Sequence, residues 1–252
     1  MRSVGKLESL IYQKFERGQR QLAVLIDPDK LPQDAFLIEA ETLGVDYFFV
    51  GGSLLTGGSL SECIARIRKY TAVPVILFPG SAVQVDNSAD GILFLSLLSG
   101  RNPEFLIGQQ VLAAPYLKQS KLEVLSTGYL LIDGGKPTTA SYISNTQPIP
   151  AEKPEIALST ALAGELLGMK LIYLDGGSGA FKPVSTPMIE LVRKHLSVPL
   201  IVGGGIKNTD ALEAAFDAGA SVVVVGNLFE NKPELLADFM KVVRKTEYTS
   251  TC

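Results

Sequence analysis

The chain has 252 residues, of which 46% are hydrophobic, 19% charged and 8% aromatic, with a formal net charge of -3. This is the balance of a foldable globule, and without a Lys/Arg stripe it lacks the electrostatic term that dominates nucleic-acid affinity, so no nucleic-acid partner is expected. Two cysteines, Cys63 and Cys252, and a single histidine, His195, are too few for a zinc site, a disulfide framework or a His-based nucleophilic triad. Acid/base chemistry therefore falls to carboxylates, tyrosines or lysines. Met1 to Arg20 carries charges throughout, and no window reaches the ~18 uninterrupted apolar residues of a membrane span, which predicts a cytoplasmic protein.

An amphipathic segment, Val4 to Phe15, opens the chain. The first strand is expected over Leu22 to Ile26 with a helix over Gln33 to Leu43, and the second over Tyr47 to Val50 with a helix over Ser61 to Tyr70. After a third strand, Val75 to Phe78, the gap Ser81 to Asp90 has room for only one irregular turn. The fourth, Ile92 to Leu95, leads to a helix over Pro103 to Leu117. The fifth, Leu122 to Leu125 with its extension Tyr129 to Ile132, is followed by a long gap, Asp133 to Lys153, and a helix over Pro154 to Leu167. The sixth strand, Leu171 to Leu174, precedes a helix over Thr186 to His195, which makes His195 a solvated cation at a helix C-terminus. The last two strands, Leu200 to Val202 and Val222 to Val225, precede helices over Thr209 to Ala218 and Pro233 to Lys245. Several helices open on Ser, Thr, Asp, Asn or Pro.

Short β-branched runs alternating with helical ones are the signature of βα units around a buried parallel sheet. Eight such units predict an α/β chain forming one (β/α)8 barrel domain over residues 1–252, with the N-terminal helix closing its bottom. A doubly wound open sheet gives a similar count. Glycine decides between them. The last three strands run straight into Asp175-Gly176-Gly177-Ser178-Gly179, Gly203-Gly204-Gly205 and Gly226-Asn227, which suits the phosphate-holding end of a barrel.

A phosphate needs several backbone N–H groups converging on it, and glycine lets the main chain approach closely. Gly204, Gly205, Gly226 and Asn227, helped by the helix start near Thr209, are candidate donors, although glycines also serve simply as tight βα turns. Asp27 and Asp175 follow the first and sixth strands and belong at the catalytic rim, whereas Asp29 fits the N-cap of the next helix. Asp27 with the hydroxyl of Ser53 suits Mg2+, a hard cation that takes few protein oxygens plus phosphate oxygens, and this implies a diphosphate substrate. A Schiff-base mechanism is disfavoured, since Lys30, Lys136, Lys182 and Lys207 lie in loops and Lys170 at the opposite rim. Lys30 and Lys207 read as solvated charges or phosphate neighbours. The fourth strand and helix are unusually apolar, from Phe94 to Tyr116; core packing accounts for this, or part of the surface lines a groove for a long hydrocarbon at ~0.8 kcal/mol per buried CH2.

Asp27-Pro28-Asp29-Lys30, Val50-Gly51-Gly52-Ser53, Tyr173-Leu174-Asp175-Gly176-Gly177-Ser178-Gly179, Gly203-Gly204-Gly205 and Gly226-Asn227 resemble the signature of the geranylgeranylglyceryl phosphate synthase family, in the family's order along nearly the whole chain. The resemblance implies a (β/α)8 prenyltransferase that joins a polyprenyl group, by preference geranylgeranyl, from its diphosphate to the 3-hydroxyl of sn-glycerol 1-phosphate, releasing pyrophosphate. It further implies Mg2+ on Asp27 and Ser53, and glycerol phosphate bound by Tyr173, Leu174, Asp175, Gly176, Gly177, Ser178, Gly179, Gly204, Gly205, Gly226 and Asn227. Asp175 is then the base, with Tyr173 beside it. Many members carry Glu where this chain has Asp175, which shortens the reach. The family also implies a homo-oligomer, a dimer or hexamer, and transient membrane contact for the lipid product. The region after the fifth strand, including Tyr129 and the Asp133 to Lys153 stretch, is a candidate water shield. Two other readings keep the phosphate site: a phosphosugar isomerase or lyase with Asp27 and Asp175 as acid/base pair, and a non-catalytic phosphate- or lipid-binding barrel.

Overall fold

Eight parallel strands close in sequence order into one barrel in the computed structural model, which describes residues 5–245. They are β1 (Gln21–Ile26), β2 (Tyr47–Gly52), β3 (Val75–Pro79), β4 (Gly91–Leu97), β5 (Glu123–Leu131), β6 (Leu171–Asp175), β7 (Leu200–Gly203) and β8 (Val222–Val225), and β8 pairs with β1 to complete the ring. Val4 and Cys252 lie outside the described residues. The pleat sorts each apolar run onto two faces. Leu22, Val24 and Ile26 of β1 pack outward against helices, whereas Ala23 joins Tyr47, Phe49, Ile76, Leu93, Leu125, Tyr173 and Ile201 in the interior. Burial on both faces is why these strands read as continuous apolar runs.

The helices are α1 (Lys6–Glu16), α2 (Asp34–Leu43), α3 (Leu60–Tyr70), α4 (Gln109–Gln119), α5 (Thr139–Ser144), α6 (Pro154–Leu166), α7 (Thr186–His195), α8 (Thr209–Asp217), α9 (Asn227–Asn231) and α10 (Leu236–Arg244). Nothing helical follows β3, as expected from the short gap. Elsewhere the structure adds detail. The expected helix before β5 begins as a π-helical turn, Glu104–Gly108, and the last one begins as a 3-10 turn, Pro233–Leu235. The fifth strand runs unbroken through Ser126 and Thr127. The long Asp133 to Lys153 gap carries α5, opened by a capping box between Thr138 and Ser141. His195 ends α7 exposed, as anticipated. No helix among the described residues is long and apolar enough to cross a membrane.

The bottom of the barrel is closed by α1, whose Leu7 and Ile11 enter the interior cluster. Gly5 gives this helix no side-chain cap. Glu123 at the start of β5 takes that role, accepting from the N–H of Leu7 at 2.8 Å and of Glu8 at 2.6 Å. A carboxylate on an orphan helix N-terminus contributes about 1–2 kcal/mol. Glu123→Ala is therefore expected to lower stability by about that much, read as a shift in the urea midpoint, with no change in the chemistry at the opposite rim.

Candidate functional site

At the C-terminal rim the strand ends surround a cavity of about 490 Å³. Asp27, Ser53, Tyr173, Asp175, Gly177, Ser178, Gly179, Gly204, Gly205, Gly226 and Asn227 all line it, so most of the site residues read from the sequence converge on one space. Two do not. Leu174 is one pleat away from Tyr173 and is fully buried in the layer between barrel and helices. Gly176 turns its N–H to the carbonyl of Gly203 at 2.9 Å and is not part of the lining.

Asp175 is buried at the end of β6. One carboxylate oxygen accepts from the Tyr129 hydroxyl at 2.6 Å and the other from the Gly177 N–H at 2.7 Å. Burial raises its pKa above the ordinary carboxylate value, against the lowering effect of those two bonds. Tyr129 and Tyr173 are themselves held well above the usual tyrosine value, chiefly by burial and then by the Asp175 charge, so both remain phenols. Tyr129 is in register with Tyr173 across β5 and β6, and the two rings meet edge-on at 5.4 Å while Phe78 stacks on Tyr173 at 5.5 Å. Sequence reasoning gave Tyr129 no role beyond shielding. Its signal was the pleat: once β5 is paired with β6, every second residue from Tyr129 faces inward.

The glycine turns supply free donors. Among the described residues, the N–H groups of Ser178, Gly179, Gly204 and Gly205 make no hydrogen bond within the chain, whereas those of Gly176 and Gly177 are already taken. Gly204 has φ +80°, and a Cβ there would stand 2.6 Å from the Gly177 nitrogen and 2.7 Å from an Asp175 carboxylate oxygen. Gly204→Ala is expected to cost about 1–3 kcal/mol through a strained φ and this clash, and to weaken binding of inorganic phosphate. A thermal melt and a phosphate titration check the two parts. At the helix start near Thr209, Asn208 caps α8 by accepting from Ala211 N–H at 2.8 Å, and the nearest residue of the cavity lining is Lys207. Gly226 and Asn227, at the head of α9, stand in the lining.

Asp27 accepts from the Asp29 N–H at 3.0 Å and lies 3.8 Å from the Lys30 ammonium, which pairs with Glu230 at 2.9 Å. Asp29 is not a helix cap. Its carboxylate accepts from the N–H groups of Thr56, Gly57 and Gly58 and from the Thr56 hydroxyl, pinning the loop after Ser53, and these bonds hold its pKa far below the ordinary value. Among the described residues no three His, Cys, Asp or Glu side chains gather at a metal position. Asp27 and Ser53 both line the cavity, and a carboxylate with a hydroxyl is a donor set that would suit a hard cation such as Mg2+, with the rest of its shell from water and substrate oxygens.

The apolar stretch of the fourth unit divides three ways. Phe94, Leu95, Leu97 and Phe105 line the cavity, Leu98 and Leu106 pack in the core, and Ile107 of the π-helical turn with Val111, Leu112 and Tyr116 of α4 are exposed on the outside. The wall continues through Phe78, Ala82, Val85, Ala113 and Leu117, and α5 adds Ala140 and Ile143. These side chains form an apolar trough on the side of the ring that carries β3 and β4, across from β7 and β8 and their glycine turns.

A model of the PcrB family matches residues 16–246. A geranylgeranylglyceryl phosphate synthase of Spirosoma linguale is 54% identical over 231 residues, 90% of this chain and 93% of its own. The enzyme of that name from Thermococcus gammatolerans is 43% identical over 234 residues, 91% and 92% of the two chains. Among solved structures, (S)-3-O-geranylgeranylglyceryl phosphate synthase from Thermoplasma acidophilum, in complex with substrate sn-glycerol-1-phosphate, matches with a TM-score of 0.88 and 34% identity over 95% of this chain and 98% of that one. The N-acetylmannosamine-6-phosphate 2-epimerase of Clostridium perfringens, at 15% identity and a TM-score of 0.53, shares the fold alone. Matched over nearly its whole length and on the same barrel, the chain belongs to the PcrB family.

Proposed function

We propose that this protein is a Mg2+-dependent prenyltransferase that joins a polyprenyl group, geranylgeranyl by preference, to the 3-hydroxyl of sn-glycerol 1-phosphate. One observation carries the reading: a single cavity is lined by turns with free backbone donors, by a buried carboxylate and by the apolar side chains of β3, β4 and α4. The phosphate of the acceptor fits the turns at Ser178–Gly179 and Gly204–Gly205, and the prenyl chain fits the trough. Asp175, with Tyr173 alongside, holds the glycerol hydroxyl and takes its proton as the new C–O bond forms at prenyl C1 and the bond from C1 to the diphosphate oxygen breaks. The raised pKa of Asp175 supports a carboxylate basic enough for that task. Tyr129 keeps the carboxylate aimed. Asp27 and Ser53 would hold Mg2+, which supplies charge neutralisation for the departing diphosphate.

Incubation with sn-glycerol 1-phosphate, Mg2+ and a mixture of C15, C20 and C35 diphosphates, followed by mass spectrometry, tests the reading. The expected product is the C20 ether, lost on chelation with EDTA and restored by excess Mg2+. No ether product from any donor would overturn it. Assembly as a dimer or hexamer belongs to the same proposal and draws support from the exposed apolar face of α4.

A further inference from the structure

Lys136 lies in the segment between β5 and α5, outside the cavity wall itself but against Gly179, which is part of that wall, and no chemistry assigned above uses it. Its ammonium stands 3.1 Å from the point where a side chain on Gly179 would begin, and Nδ2 of Asn227 is 3.9 Å from the same point. Gly179 has φ +69°, which keeps that point free of any Cβ and leaves its own N–H without a partner in the chain. Asn227 is oriented as a donor: Ser178 Oγ donates to Asn227 Oδ1 at 3.2 Å, turning the amide nitrogen toward the turn. Around one position, then, stand an ammonium, an amide N–H2 and a free backbone N–H.

The lysine is placed by the main chain and is not a loose arm. Gly134 O accepts from the N–H groups of Phe181 and Lys182 at 2.9 and 3.2 Å, laying the segment before Lys136 along the segment after Gly179. The ammonium lies 5.1 Å from the centre of the Phe181 ring, a contact that steadies a cation without neutralising it. Among the described residues Lys136 makes no ion pair. Lys30, by contrast, is already paired with Glu230. A cation fixed beside two other donors and left without a counter-charge matches a dianionic phosphate monoester.

We infer that Lys136 is a specificity residue for the phosphate of the acceptor substrate, and that the segment after β5 exists in part to carry this charge onto the turn after β6. The inference rests on the proposed acceptor, and it predicts a particular kinetic pattern. Lys136→Gln should raise KM for sn-glycerol 1-phosphate about ten- to a hundredfold, the worth of one charge-assisted hydrogen bond. kcat at saturating acceptor and KM for the prenyl diphosphate should stay within about twofold. Lys136→Arg should recover most of the loss, whereas Lys136→Met, which keeps the stem over Phe181 but not the charge, should behave like Gln. Direct titration of wild-type and variant protein with sn-glycerol 1-phosphate and with inorganic phosphate gives the same comparison without turnover. An unchanged KM and unchanged affinity in Lys136→Gln overturn the inference and leave the prenyltransferase reading standing. Equal losses in KM and kcat, with a lowered melting temperature and no rescue by Arg, also overturn it, since a structural role would do that. Wild-type protein that binds neither probe overturns the inference together with the reading beneath it.

Discussion

Asp175→Asn is expected to lower kcat about a thousandfold, within the usual range for removing a positioned base, while the protein stays folded. Asn can accept from Gly177 N–H with its oxygen, but toward Tyr129 its nitrogen can only donate, which reverses the native bond and leaves the phenol proton without its carboxylate acceptor, a loss of about 1–3 kcal/mol that a folded protein can absorb. The pH behaviour separates this carboxylate from an ordinary one. Its pKa is raised by burial, so turnover should fall on the acid side at a pH above the ordinary Asp value of about 4. Stability runs the other way. A carboxyl with a raised folded-state pKa contributes stability that is fully present below its unfolded value of 3.8 and is lost as pH rises through the folded value. Wild type should therefore lose melting temperature over that interval relative to Asp175→Asn, and the two should converge in more acidic buffer. A flat difference across pH, or full activity in the variant, would remove Asp175 from the proposed role.

Asp27→Asn is expected to abolish transfer, by at least about a hundredfold, because neutralising a diphosphate leaving group is worth several kcal/mol. Binding of sn-glycerol 1-phosphate should be largely retained, since the glycine turns and Lys136 belong to other strands. A titration in the presence and absence of Mg2+ reads one half of this expectation and product formation the other. Full activity in Asp27→Asn would dispose of the metal assignment. Asp29, two residues on, is a useful contrast. Its carboxylate is spent on the Thr56 to Gly58 loop, so its replacement should loosen the loop beside Ser53 and leave the other walls of the cavity in place.

The contrast between Asp27 and Asp29 also marks the boundary of what a linear reading reveals. Both follow the first strand; the sequence placed Asp27 at the rim and made Asp29 a helix cap, but no local pattern shows that Asp29 instead accepts from a loop nearly thirty residues away. The same limit applied to Leu174 and Gly176. Each lies within the continuous Tyr173 to Gly179 motif, yet the pleat turns Leu174 outward and a carbonyl of the next strand takes the N–H of Gly176. Tyr129 and Lys136 were undervalued for a related reason, because their partners are 46 and 43 residues ahead, across a strand pairing and a turn.

By itself the sequence determined the barrel, its eight strands, the glycine turns after the last three and the carboxylates at the rim. Those features are local: periodicity, β-branched runs, glycine and the residue that ends a strand act over a few positions, and each biases the backbone wherever it occurs. Only the tertiary structure decided that Tyr129 aims Asp175, that Glu123 caps α1, that Asp29 serves a loop and that Lys136 leans over Gly179. A hydrogen bond or an ion pair depends on atoms brought within about 3 Å, and in a closed barrel that proximity is set by strand register and loop path, which no local pattern encodes.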